Sequence, residues 1–144
     1  MRRPIGAVGA VLQAAYGLLM AFPIALFSFA VGTDVAYLRT AEMQWTNFSA
    51  WSITIGLVFG GLALIFALVA LLAGLRTRAR RARMLHAAAL ALMCLLGLIN
   101  AFKHSQDAWS SVGAFGLVLS ILTAIAALVA GAVAYSGAMN EETA

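Results

Sequence analysis

Apolar residues run through this chain in long unbroken stretches rather than in alternation. Four such stretches stand out: about Ile5 to Leu38, Phe48 to Leu75, Met84 to Phe102 and Val112 to Tyr135. A bilayer's hydrocarbon core takes about 20 helical residues, so each of the last three predicts one membrane span. Strands of a transmembrane barrel would alternate apolar and polar side chains, and these stretches do not. The pattern predicts an all-α integral membrane protein, a four-transmembrane-helix bundle. It forms a single domain over residues 1–144, with spans near 16–38, 48–75, 84–102 and 112–135.

The first stretch is the irregular one. Only Gln13, Pro23 and the pair Thr33–Asp34 interrupt it. As a helix it would reach roughly 50 Å, too long for one straight span and too short for two. Pro23 lacks an N–H and clashes with the preceding turn, so a helix kink is expected there. Two forms fit. One is a bent or tilted first helix that includes residues 5–15; the other is a short interfacial helix over 5–15 followed by a span to Leu38. The opening "MRRP" before an apolar run also has the form of a secretory signal peptide, but the run is long for the apolar part of one.

Composition sharpens the membrane reading. Of 144 residues, 64% are hydrophobic and 10% charged, whereas a soluble domain is about a quarter charged. The net charge of +4 does not point to nucleic acid, because the basic residues sit at the N-terminus and in one short stretch between apolar runs. That stretch, "RTRARRARMLH", carries Arg76, Arg78, Arg80, Arg81 and Arg83. With Arg2 and Arg3 it places seven of the nine Lys+Arg on one side of a four-span bundle, leaving Arg39 and Lys103 on the other. Clustered positive charge stays cytoplasmic during insertion. Both termini are therefore expected in the cytoplasm, with Arg39–Asn47 and Lys103–Ser111 as outer loops. The arginines could also hold anionic lipid head groups.

Trp45, Phe48, Trp51, Trp109 and Tyr37 all fall near the outer boundary. They fit an interfacial aromatic belt or a docking surface for an outer partner. Gly56 and Gly60 in "GLVFGG" have the spacing that lets helix backbones approach closely. Gly131 with Gly113, Gly116 and Ala127, and Gly17 with Ala21 and Ala25, offer similar surfaces. They serve packing inside the monomer or a dimer seam. Phe59, Leu62 and Phe66 would fill gaps or face lipid.

Few side chains could carry chemistry. A carboxylate in an apolar run is a functional candidate by default, and Asp34 is one. It lies about one turn from the outer helix end, where it could reach water or pair with Arg39 or Lys103; a proton, ion or cofactor role is the alternative. His86 and His104 lie 18 residues apart on one helix, roughly 27 Å along its axis, so they cannot share one haem iron. His86, beside the arginine cluster, reads as an interfacial residue or a contact for a quinone or lipid phosphate. His104, beside Lys103 and Asp107, is expected in a solvated outer loop. Asn100 is placed to bond across helices. Ser28, Thr54, Ser120 and Thr123 are the polar candidates at midplane depth. The single cysteine, Cys94, excludes an intrachain disulfide and reads as a core residue. No metal-ligand spacing, phosphate loop or nucleophile motif appears, so neither an enzyme nor a resident cofactor or metal is expected, with quinone or haem as the exceptions kept in view.

Three stretches carry a family resemblance. "LLMAFPIALFSFAVGTDVAYL", with Phe22-Pro23-Ile24 and Asp34, resembles the first helix of bacterial membrane proteins grouped as domain of unknown function 2231. "LHAAALALMCLLGLIN" is similar to that family's third helix, with His86 at a frequent histidine, and "VAGAVAY" to its closing segment through Gly131 and Tyr135. The chain departs from the pattern in three places. Tyr16-Gly17 and Ala21 stand where the family often has a His-Pro pair and a second histidine, and Ala132 where it often has Glu. A polar site built on those groups would be missing here. The resemblance implies a multi-pass protein of the bacterial cytoplasmic (inner) membrane. By association with quinone-linked dehydrogenase modules, it also implies a non-catalytic accessory or anchor subunit for membrane partners or a periplasmic redox enzyme.

Overall fold

The computed structural model describes residues 6–74, 79–106 and 112–142, with side chains through 136. Four helices account for nearly all of it: α1 (Ala7–Thr40), α2 (Met43–Ala73), α3 (Arg80–His104) and α4 (Ala114–Glu142). All four are long and apolar enough to cross a membrane. Helices are the expected outcome, because hydrocarbon offers no partner to a free backbone N–H or C=O and a helix satisfies both internally.

α1 is one continuous helix with Pro23 inside it. Residues 7–15 therefore continue the span rather than forming a separate interfacial element. The α1–α2 link is shorter than expected: α1 ends at Thr40 and α2 starts at Met43. The 39–47 loop reduces to Ala41 and Glu42, with Ala41 left-handed at φ 57° and its N–H donating to the Tyr37 carbonyl. The arginine stretch is likewise not all loop. Arg80, Arg81 and Arg83 form the first turn of α3, while Arg76 and Arg78 lie outside the described residues.

Each helix packs against its neighbours in sequence, and α4 closes on α1. α1 and α3 thus stand on one diagonal and point the same way. Small residues set the spacing. The Phe27 ring fills the middle of the bundle, 3.1 Å from where a Cβ on Gly56 would sit and 3.2 Å from one on Gly97. Gly60 faces Met93 and Pro23, and Gly131 faces Ile24. Met20, Ile53, Leu90 and Met93 complete a buried apolar centre. The opposite faces, including Phe29, Val58, Ile65, Phe102 and Phe115, are exposed, as lipid contact requires.

Candidate functional site

Asp34 is fully buried, one and a half turns before the end of α1. It neither reaches water nor pairs with Arg39 or Lys103. Its Oδ1 accepts from Ser49 Oγ on α2 at 2.5 Å and pairs with His104 Nε2 on α3 at 3.0 Å. Its Oδ2 accepts from Ser120 Oγ on α4 at 2.5 Å. One carboxylate thereby joins all four helices. His104 is accordingly not a solvated loop residue: it is the last residue of α3, 7% exposed. The expectation failed because the charged neighbour Lys103 suggested water, whereas His104 lies on the inward face of the same turn.

A further shell surrounds the carboxylate. Thr33 Oγ1 bonds Ser49 Oγ at 2.6 Å. Asn100 Nδ2 donates to Ser120 Oγ at 2.9 Å, the cross-helix bond its position suggested. Asn100 Oδ1 is buried without a partner. Hydrogen-bond accounting constrains the pair at the centre. His104 Nδ1 lies 3.0 Å from the Asn100 carbonyl oxygen, which only accepts, so Nδ1 carries a hydrogen. The bond between Nε2 and Asp34 Oδ1 then requires one more proton, held by either partner. In both forms the pair is neutral overall.

A second polar contact lies at the other end of the bundle. Tyr16 Oη and His86 Nε2 are 2.6 Å apart, and the same hydroxyl reaches the Ala63 carbonyl at 3.3 Å. His86 Nδ1 is buried without a hydrogen-bond partner. The two histidines thus have partners on α1 with the same offset. Tyr16 to Asp34 is 18 residues, as is His86 to His104, which is five turns at about 3.6 residues each. Two parallel helices on the diagonal are cross-linked by two rungs about 27 Å apart. The apolar centre around Phe27 lies between them.

The remaining candidates sit apart from both rungs. Thr54 and Thr123 bond their own helices at the carbonyls of Ala50 and Leu119, and Ser120 belongs to the Asp34 cluster rather than to midplane. Trp45 meets Phe48 edge to face with centroids 5.9 Å apart, and Trp51 is 68% exposed. Trp109 is outside the described residues. Among the described residues, no group of three or more His, Cys, Asp or Glu could hold a metal ion. Ser49 and Tyr16 are the residues that sequence reasoning missed. Both look like ordinary helix residues until the packing brings them to a partner about 15 or 70 positions away.

The family described as "Predicted membrane protein (DUF2231)" matches residues 7–140, which span all four helices. The chain belongs to this family. No curated protein and no solved structure gives a significant match. Asp34 and His86, two of the residues on which the resemblance rests, each anchor one rung. At Tyr16, where the resemblance leads one to expect a histidine pattern, a phenol faces His86.

Proposed function

We propose that the protein is a non-catalytic accessory or anchor subunit of the bacterial cytoplasmic membrane, with both termini cytoplasmic. It would hold a membrane-embedded or periplasmic redox partner, such as a quinone-linked dehydrogenase. The observation that carries this reading is the state of Asp34, whose oxygens are both engaged by groups from the other three helices. A carboxylate fixed in this way ties the bundle together. His104 is likewise engaged at both ring nitrogens, and His86 at Nε2. With an outer α1–α2 link of only Ala41 and Glu42, a partner would be met mainly through the lipid-exposed helix faces in the plane of the membrane.

A proton pathway through Asp34 is the second reading, favoured by the single proton shared with His104. One experiment weighs both. Gentle extraction from the native membrane followed by native mass spectrometry is expected to show a stable assembly with other polypeptides. Purified protein in liposomes is expected to pass no more protons than empty vesicles. A bare monomer together with proton flux that Asp34→Asn abolishes would overturn the subunit reading and install the pathway.

A further inference from the structure

We propose that the hollow between α1, α2 and α3 at the arginine-bearing end binds one anionic phospholipid by its phosphate. The cavity measures about 250 Å³ and is lined by Tyr16, Phe66, Ala67, Ala70, Arg83 and His86. It exists because α2 presents the short side chains of Ala67 and Ala70 where Tyr16 and His86 draw α1 and α3 together. Phe66 at its edge is 58% exposed, so the mouth opens sideways toward lipid.

Arg83 supplies the charge. Its Nη1 donates to the Ala70 carbonyl at 3.0 Å, one of five N–H donors on the guanidinium. That bond anchors the head of the side chain over the hollow, at the C-terminal end of α2 where a cation is favoured. The other donors form the planar fork that suits a phosphate. Depth also fits. Arg83 and Lys103 stand 20 positions apart on α3, about 30 Å of helix and about the thickness of the hydrocarbon core. Arg83 therefore lies at the level of the phosphates. The walls are apolar apart from the Tyr16–His86 pair, whose facing atoms are bonded to each other. The occupant must bring one anionic group to the rim and an apolar body to the walls. A lipid does both, whereas free phosphate leaves Ala67 and Phe66 uncovered.

The test uses the full chain in nanodiscs of phosphatidylcholine containing a minority of phosphatidylglycerol. Native mass spectrometry then counts the retained lipid, and circular dichroism checks the helical content of each variant. The wild type is expected to keep one phosphatidylglycerol. Arg83→Gln, which preserves a donor for Ala70, and Ala70→Leu, which fills the hollow and preserves the charge, are each expected to lower retention about tenfold, as for loss of one charge-assisted contact. Arg80→Gln removes the same charge one turn away and is expected to leave retention unchanged. Equal loss in Arg80→Gln and Arg83→Gln would overturn the site in favour of diffuse attraction, and unchanged retention in Ala70→Leu would overturn it outright. Ala70 is at an exposed helix position, so its variant keeps the test decisive if Arg83→Gln misfolds. Millimolar inorganic phosphate is expected not to displace the lipid; displacement would overturn the lipid assignment, as would a retained quinone mass in its place.

Discussion

Replacing Asp34 by Asn preserves the shape of the side chain and inverts its chemistry on one side. The oxygen that remains can still accept from Ser49, but a neutral His104 with its hydrogen on Nδ1 has none on Nε2 to give it. The new amide nitrogen faces Ser120, whose hydroxyl already accepts from Asn100 Nδ2 and would lose the acceptor for its own proton. The proton that the carboxyl and imidazole share is lost as well. Two magnitudes compete. Interhelical hydrogen bonds in membranes average about 0.6 kcal/mol each, so three ordinary bonds at Asp34 would contribute about 2 kcal/mol in total. Breaking a buried charge pair by removing one partner costs about 3–5 kcal/mol, because the other partner is left uncompensated. For the ionic form of the pair, with the shared proton on His104, the second figure applies; the neutral form falls back on the first.

The double-mutant cycle separates the two cases. In the ionic form, Asp34→Asn and His104→Gln are each expected to cost about 3–5 kcal/mol. The double variant removes both charges and leaves two amides that can bond to each other. It is expected to cost at least about 2 kcal/mol less than the sum, since contacting residues couple by about 0.5–3 kcal/mol. Reversible unfolding in mixed detergent micelles, followed by circular dichroism or by steric trapping, measures each corner. A cost below about 1 kcal/mol for Asp34→Asn, with additivity within about 0.5 kcal/mol, would refute the reasoning: the cluster would then be a set of weak, replaceable bonds.

The glycines give a graded series in the same assay. Gly56→Ala presses a methyl onto the rigid Phe27 ring at 3.1 Å and is expected to destabilise by about 1–3 kcal/mol. Gly60→Ala meets the flexible ε-methyl of Met93 and is expected to be near neutral. Gly61→Ala has no atom within 4 Å and is expected to stabilise by up to about 1 kcal/mol through helix propensity; equal effects at all three would contradict the packing. Tyr16→Phe removes the hydroxyl from His86 Nε2 and is expected to cost about 1–2 kcal/mol. Its direct readout is the imidazole nitrogen-15 spectrum, where an unchanged His86 Nε2 resonance would rule out the bond.

Much of the architecture was legible because hydrocarbon is a demanding solvent. Apolar runs of span length admit only helices, and the clustered arginines mark where one pair of spans turns back. The boundaries were less legible. Apolar content does not show where a helix stops in the interface, which is why the 39–47 loop proved to be a two-residue turn and Arg80, Arg81 and Arg83 began a helix. The site was half legible. Asp34 stood out as a carboxylate in an apolar run, but its partners did not, since Ser49, Ser120 and His104 come from three other helices. His104 was misplaced for a specific reason: sequence neighbours on a helix point about 100° apart, so Lys103 says little about the surroundings of the next residue. The constant offset of 18 was present in the sequence all along. It acquires meaning only once α1 and α3 are known to be parallel, because five whole turns then bring the second pair back to the facing sides.

The two rungs bear directly on the choice between scaffold and conduit. A proton that leaves the Asp34–His104 pair toward the other rung must cross about 27 Å occupied by Phe27, Met93, Leu90 and Met20, all buried and apolar. The hydroxyls of Thr33, Ser49 and Ser120 stay with the carboxylate, and Thr54 and Thr123 are bonded to their own helices. No polar side chain of this set bridges the gap, and water would enter only if the diagonal helices separated. Separation would have to break at least one rung, and the Asp34 rung bonds all four helices at a single carboxylate. The bonds that would have to open for conduction are thus the same bonds that hold the bundle closed. A conduit built this way would have to lose much of its stability in every cycle, whereas a scaffold gains from the same arrangement by keeping the register of its lipid-facing surfaces fixed.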